Sequence, residues 1–157
     1  MAKEVITTAI LVIASVIAAV AFVNAILPSV YQLSHSYSSV ASNMEDQLKT
    51  DVDIVFVYPE GNNVSVWMKN VGSSNIALSE LQYCDFLVIS SSGYWDPDFE
   101  SETAPSWNYT FANGEGDYWN RGETIKATIN FGTLPSNKYD ISFFLYNGVS
   151  VSDTFST

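Results

Sequence analysis

Val5-Ile6-Thr7-Thr8-Ala9-Ile10-Leu11-Val12-Ile13-Ala14-Ser15-Val16-Ile17-Ala18-Ala19-Val20-Ala21-Phe22-Val23-Asn24-Ala25-Ile26-Leu27 decides how the chain is built, and none of these residues carries a charge. As a helix rising ~1.5 Å per residue it would be about 34 Å long, enough to cross a hydrocarbon layer of ~30 Å. A helix that is apolar all round has no face to offer water. Val5, Ile10, Ile13, Ile17, Val20, Phe22 and Leu27 mark that apolar surface. Two environments suit it: lipid, or the dry core of a bundle of identical helices. Either one requires a partner.

Outward from this stretch, Met1 to Glu4 is a very short leader with Lys3 as its cation. A secretory signal peptide has a longer basic region, a shorter apolar run and a small-residue cleavage site. Retention is therefore expected over removal. The basic Lys3 places the N-terminus in the cytoplasm and everything after Pro28 outside. Pro28 lacks an N–H and is expected to kink or interrupt the helix near Asn24. Beyond it the helical pattern resumes, with Val30, Leu33, Tyr37, Val40, Met44 and Leu48 at spacings of three and four among serines, Gln32 and Asn43. A narrow apolar seam on a polar, mostly uncharged helix suits a helix-on-helix contact. It equally suits packing on the chain's own distal domain.

From Asp51 the period changes to two. Strands are expected at 51–58, 63–69, 79–90, 107–111, 124–131, 139–146 and 149–155, with Leu81, Tyr83, Phe86, Val88 and Ile89 as core candidates of the third. Pro59-Glu60-Gly61-Asn62 joins the first two strands, and Asn147-Gly148 reads as a two-residue hairpin turn before the last. About seven short strands at regular spacing predict an immunoglobulin-type β-sandwich. The fold class is thus α+β overall: a hydrophobic and amphipathic N-terminal helix over 1–50, then an all-β domain over 51–157.

Among 157 residues the formal net charge is −11, and nearly all of it lies after Met44. Phosphates would be repelled by that surface, so nucleic acid is not an expected partner. Cys84 is the single cysteine, so no intrachain disulfide can form, and a buried inert thiol is expected. His35 is the single histidine, which excludes a histidine metal cluster. No nucleophile or cofactor motif is visible, so neither an enzyme nor a cofactor is expected.

Asp96, Asp98, Glu100 and Glu102 fall within seven positions of one loop. Hard cations prefer clustered oxygens, so calcium is conceivable there, though the spacing fits no calcium motif and a solvated acidic loop explains it as well. Asn63-Val64-Ser65 and Asn108-Tyr109-Thr110 are N-glycosylation sequons, open to modification only on an extracellular domain. Tyr94, Trp95, Phe99, Trp107, Tyr109, Tyr118 and Trp119 sit in or beside loops and read as exposed aromatics. They either plug the sandwich ends or form an adhesive surface.

Several short stretches carry a resemblance: Ile6-Thr7-Thr8-Ala9-Ile10, Asn24 to Tyr31, Leu48-Lys49-Thr50-Asp51, Trp67 to Gly72, Ile76 to Glu80 and Tyr118 to Thr124. With the helix-then-sandwich layout they resemble type IV pilin-like proteins of archaea, the archaellum accessory protein G family in particular. The resemblance implies a membrane-anchored protein whose sandwich lies in the space under the surface layer. There it would join a sister accessory protein in a static structure for the motor to push against. Filament subunits of this kind usually carry a short charged leader ending in a basic residue and glycine, whereas Lys3-Glu4 here leads directly into the helix. Glu4 itself resembles the acidic residue that pilins place at the head of the helix.

The expected function is an anchored structural component of the archaellum, in the archaeal cell membrane with its C-terminal domain extracytoplasmic. Its expected contacts are copies of itself, the sister protein, the surface layer and the membrane, through the assembly seam Val30, Leu33, Tyr37, Val40 and Met44. The alternatives are a major archaellin or pilin with its helix in the filament core, and an extracellular glycan- or calcium-binding module.

Overall fold

The computed structural model describes residues 2–157, so of the expected leader Met1 lies outside the described residues. The chain forms two compact units, Met1–Asn43 and Met44–Thr157. Helix α1 runs Ala2–Lys49, with Glu4 in its first turn and Lys49 in its last, the charges that suit the helix dipole. The expected interruption at Pro28 does not occur: the helix continues through it. Proline removes one N–H and displaces one carbonyl. The long hydrogen-bonded runs on either side keep the remaining turns in register, because helix propagation is cooperative.

The second unit holds β1 (Val52–Glu60), β2 (Asn63–Asn70), β3 (Ile76–Ala77), the 3-10 helix η1 (Leu78–Tyr83), β4 (Asp85–Ser90), β5 (Gly93–Trp95), β6 (Asp98–Phe99), β7 (Ser106–Asn113), β8 (Tyr118–Trp119), β9 (Thr124–Asn130), β10 (Lys138–Phe144) and β11 (Ser150–Ser156). One sheet has the order β1-β2-β9-β7-β6 and the other β11-β10-β4-β5, while β3 pairs with β8 separately. The seven strands of six residues or more are those read from the alternation. With the three-residue β5 added at one edge, their orders, β1-β2-β9-β7 and β11-β10-β4-β5, are the A-B-E-D and G-F-C-C′ orders of an immunoglobulin-type sandwich. Tyr139, near the start of β10, donates its hydroxyl to Pro135 O at 2.6 Å. This is the tyrosine corner of such folds.

Alternating inward residues of both sheets fill the core. Val64, Val66 and Met68 of β2, Ile125, Ala127 and Ile129 of β9, Phe86 and Val88 of β4, and Tyr139, Ile141 and Phe143 of β10 are all fully buried. Across the layers Phe86 meets Trp107 edge to face at 5.0 Å, and within its own sheet it meets its register partner Phe143 at 4.6 Å with the rings tilted. Such pairs add about 1 kcal/mol each beyond the area they bury. Cys84 is buried, and that burial pushes its thiol up to about 11. At neutral pH the thiolate is scarce, so the residue is inert, as expected.

Several expectations are corrected. The stretch 79–90 is not one strand: η1 occupies its first part and β4 its second. Leu78, Leu81 and Cys84 recur every three residues, the repeat of a 3-10 turn, and bury Leu81 and Cys84. Tyr83 and Ile89, expected in the core, are exposed. Trp107 and Trp119, expected at the surface, are buried. Trp107 lies on β7 facing the opposite sheet, and Trp119 is fixed by Nε1 donating to Glu123 O at 2.8 Å. The last hairpin turns over three residues, not two: Leu145 and Val149 are joined by Leu145 N to Val149 O at 2.8 Å, and Gly148 takes a φ of 85°.

Candidate functional site

Three surfaces are candidates: the bare helix, the outer face of the five-stranded sheet, and the seat of the last helical turn. Along α1 no residue is buried, and the helix is long and apolar enough to cross a membrane. Val5, Ile10, Ile13, Ile17, Val20, Phe22 and Leu27 are exposed, and so are Val30, Leu33, Tyr37, Val40 and Met44. The three Ser and Thr hydroxyls of the Val5–Leu27 segment are satisfied by the helix backbone. Thr7 donates to Lys3 O, Thr8 to Glu4 O and Ser15 to Val12 O, all at 2.8 to 2.9 Å. That removes the main cost of placing them in an apolar medium.

The outer face of the five-stranded sheet is set by a bulge. Pairing between β1 and β2 shifts between Ile54 and Phe56. Val52 and Ile54 face the core before the shift, and Phe56 and Tyr58 are exposed after it. One extra residue reverses which face a strand presents. Phe56 lies 5.6 Å from the half-buried Trp67 and 6.3 Å from Tyr58, and Lys126 Nζ sits 5.3 Å from the Trp67 ring centre. The alternation did not reveal this patch, because Ile54-Val55-Phe56-Val57-Tyr58 is apolar at both parities.

Towards β6 the same face becomes polar. A groove of about 470 Å³ is lined by Asn63, Asn108, Thr128, Asn130, Glu100 and Glu102 among others. Both sequon asparagines are exposed there, Asn63 at the start of β2 and Asn108 within β7. The four acidic positions do not converge. Glu100 and Glu102 line the groove, Asp96 and Asp98 do not, and no cluster of three or more His, Cys, Asp or Glu is placed to hold a cation among the described residues. The calcium reading of this loop therefore has no such cluster behind it: β6 ends at Phe99 and Glu100 takes a left-handed φ of 49°, so the run does not stay extended and its carboxylates do not line one face. Burial, then the Glu100 carboxylate, raises the Tyr109 phenol above its usual range.

Within the second unit the last helical turn is fastened to the sandwich. Ser73 N and Ser74 N donate to Lys49 O, and Val71 N and Gly72 N to Asp51 O, all at 2.9 to 3.0 Å. Gln47 Nε2 donates to Asn147 O at 2.7 Å, and Asn147 Nδ2 to Thr50 Oγ1 at 2.9 Å. The carbonyls left free at a helix end are thereby satisfied by the β-domain. Residue periodicity gave no sign of this seat. Asn70 and Gly72, which build it, belong to the stretch Trp67 to Gly72, whose resemblance carries no information about a helix seat.

The chain thus joins a long apolar helix to an immunoglobulin-type sandwich. The profile of the archaeal-type flagellin family matches residues 2–155. The chain therefore belongs to the archaeal-type flagellin family, whose members are structural components of the archaellum. It is 41% identical to an uncharacterized protein of Archaeoglobus fulgidus over 164 residues, covering 99% of each chain. Among solved structures, the archaellum periplasmic stator protein FlaG from Sulfolobus acidocaldarius is similar with a TM-score of 0.58 and 23% identity, over 68% of this chain and 99% of that one. A chain of the FlaF and FlaG stator complex from the same organism is similar with a TM-score of 0.57 and 23% identity, over 66% of this chain and 87% of that one. At such identity the likeness is one of fold.

Proposed function

We propose that the chain is a membrane-anchored accessory subunit of the archaellum that acts as a static anchor for the motor. Residues 1–50 serve as the anchor or bundle helix. Residues 51–157 form an extracytoplasmic head that associates with copies of itself and with a sister accessory protein near the surface layer. The observation that carries this reading is the sandwich shared with FlaG across nearly the whole of that stator chain, together with FlaG's presence in a complex with FlaF. The uncovered apolar helix supports the anchoring role. In that topology the exposed Asn63 and Asn108 are acceptors for glycosylation.

A second reading, a filament subunit with its helix in the filament core, is favoured by the flagellin profile spanning helix and sandwich alike. Imaging of the full chain carrying a fluorescent label separates the two. Signal confined to the base of the archaellum is the expected result. Label distributed along purified filaments would overturn the accessory reading in favour of the second.

For the helix, the expected contact is the seam Val30, Leu33, Tyr37, Val40 and Met44 against another copy, as apolar positions three and four apart provide. Asn24 adds a side-chain amide to the uncharged Val5–Leu27 segment, a group that neighbouring helices satisfy for each other in lipid. Replacing Leu33 and Val40 by Asp should abolish helix-mediated oligomers of the detergent-solubilised chain, while the sandwich keeps its unfolding transition. Light scattering that shows unchanged oligomers would rule the seam out.

A further inference from the structure

The five-stranded sheet is polarised from edge to edge. On the β1 side lie Phe56 and Tyr58, 54% and 48% exposed, with Trp67 beside them. Lys126 sits over Trp67, and Lys69 is exposed two positions further along β2 on the same face. At the opposite edge, β6 and the residues after it carry Asp98, Glu100 and Glu102, all exposed, with half-buried Phe99 between them.

Neither set of charges has an intramolecular counter-ion. Glu45–Lys49 is the one ion pair among the described residues. Asp53 stands opposite Lys69 in the strand register, and Glu60 ends β1, yet neither carboxylate reaches a lysine within ion-pair distance. Residues 51–157 hold four Lys or Arg against fourteen Asp or Glu. Two of those four cations gather on the aromatic side of one sheet. The β1 bulge turned the aromatics out to meet them, whereas without it their parity would put them in the core.

We infer that the aromatic and lysine face of β1, β2 and β9 in one copy receives the Asp98–Glu102 edge of a second copy, head to tail. The inference rests on the self-association in the proposed function and names its surface. Each copy uses opposite edges of its sheet, so the contact is heterologous and leaves a free face and a free edge at the ends of every assembly. Burying Phe56, Tyr58 and Trp67 supplies most of the affinity, because exposed ion pairs alone contribute about 1 kcal/mol or less each. The charges fix direction and register.

The test uses the full chain in detergent, in the Leu33→Asp/Val40→Asp background so that helix contacts do not mask the sheet contact. Sedimentation velocity across a concentration series follows association. Lys69→Glu/Lys126→Glu reverses the face, and Asp98→Lys/Glu100→Lys/Glu102→Lys reverses the edge. Each alone should weaken association by about tenfold or more, and an equal mixture of the two should restore it. Phe56→Ser/Tyr58→Ser should weaken it without any change of charge. A background protein that stays monomeric, reversed variants that associate like their parent, or a mixture that is not restored would each overturn the inference. Reversal that leaves self-association intact but abolishes capture of a co-expressed sister protein would assign the face to that partner and overturn it too. None of these outcomes touches the accessory reading, which stands or falls on the imaging.

Discussion

A Gly72→Val chain is expected to lose about 3 kcal/mol or more of sandwich stability, seen as a melting point lower by about 10 °C or more. Gly72 is buried, and a Cβ there would sit 2.5 Å from both Asp51 N and Lys49 O and 3.2 Å from Thr50 C. All three are backbone atoms, so no side chain can swing aside. Relief requires lifting the 71–74 loop off the helix end. That motion breaks the donations from Ser73 and Ser74 to Lys49 O and from Val71 and Gly72 to Asp51 O, at ~1 kcal/mol net for each bond. Gly61→Ala is the control. Gly61 has a φ of 62° and open space around it, so only the left-handed backbone is strained, at ~1 kcal/mol. Thermal denaturation that finds Gly72→Val no worse than Gly61→Ala would refute the close approach.

Asn70→Leu should cost about 3 to 5 kcal/mol for a reason unrelated to volume. The Asn70 side chain is fully buried. Its Nδ2 donates to Ser74 O and to Trp119 O, both at 2.9 Å, and its Oδ1 accepts from Gly72 N at 3.1 Å. Leucine has nearly the same shape and none of these groups, so two carbonyls lose a donor inside the protein and the Gly72 amide, shared between Asn70 Oδ1 and Asp51 O, keeps only the second. The backbone of Asn70 is also engaged, donating to Glu123 O and accepting from Gly122 N at 2.7 Å. One residue thus ties the 71–74 loop to β8 and to the turn before β9. Chemical denaturation should show the loss, and hydrogen exchange at the Gly72 amide should accelerate. A loss below about 1 kcal/mol, with Gly72 still protected, would mean that water or another group replaces the amide.

Both substitutions act where the last helical turn meets the β-domain, a place that periodicity leaves unmarked. Gly72 and Asn70 fall in Asn70-Val71-Gly72-Ser73-Ser74-Asn75, which by composition is simply a loop. What makes Gly72 irreplaceable is backbone brought alongside it from Lys49 to Asp51, a contact between segments some twenty residues apart. Burial of Trp107 and Trp119 was equally hidden. Their neighbours in sequence are polar, and only the opposing sheet supplies Phe86 and Phe143 as cover for Trp107. The acidic loop shows the converse. Closeness in sequence suggested convergence, whereas the chain leaves β6 through the left-handed Glu100, and only Glu100 and Glu102 reach the groove.

By itself the amino-acid order determined the uncharged helix, the change of period at Asp51, and seven long strands in an order that closes as an immunoglobulin-type sandwich. Those features rest on local periodicity, where each residue's chemistry repeats in step with the backbone. Tertiary structure alone decided that β1 would bulge and turn Phe56 and Tyr58 outward, that Leu78–Tyr83 would coil instead of extend, and that the helix end would be seated by Asn70 and Gly72. In each of these the apolar pattern allows two parities or two conformations. The choice falls to whichever one packs against chain that is distant in sequence.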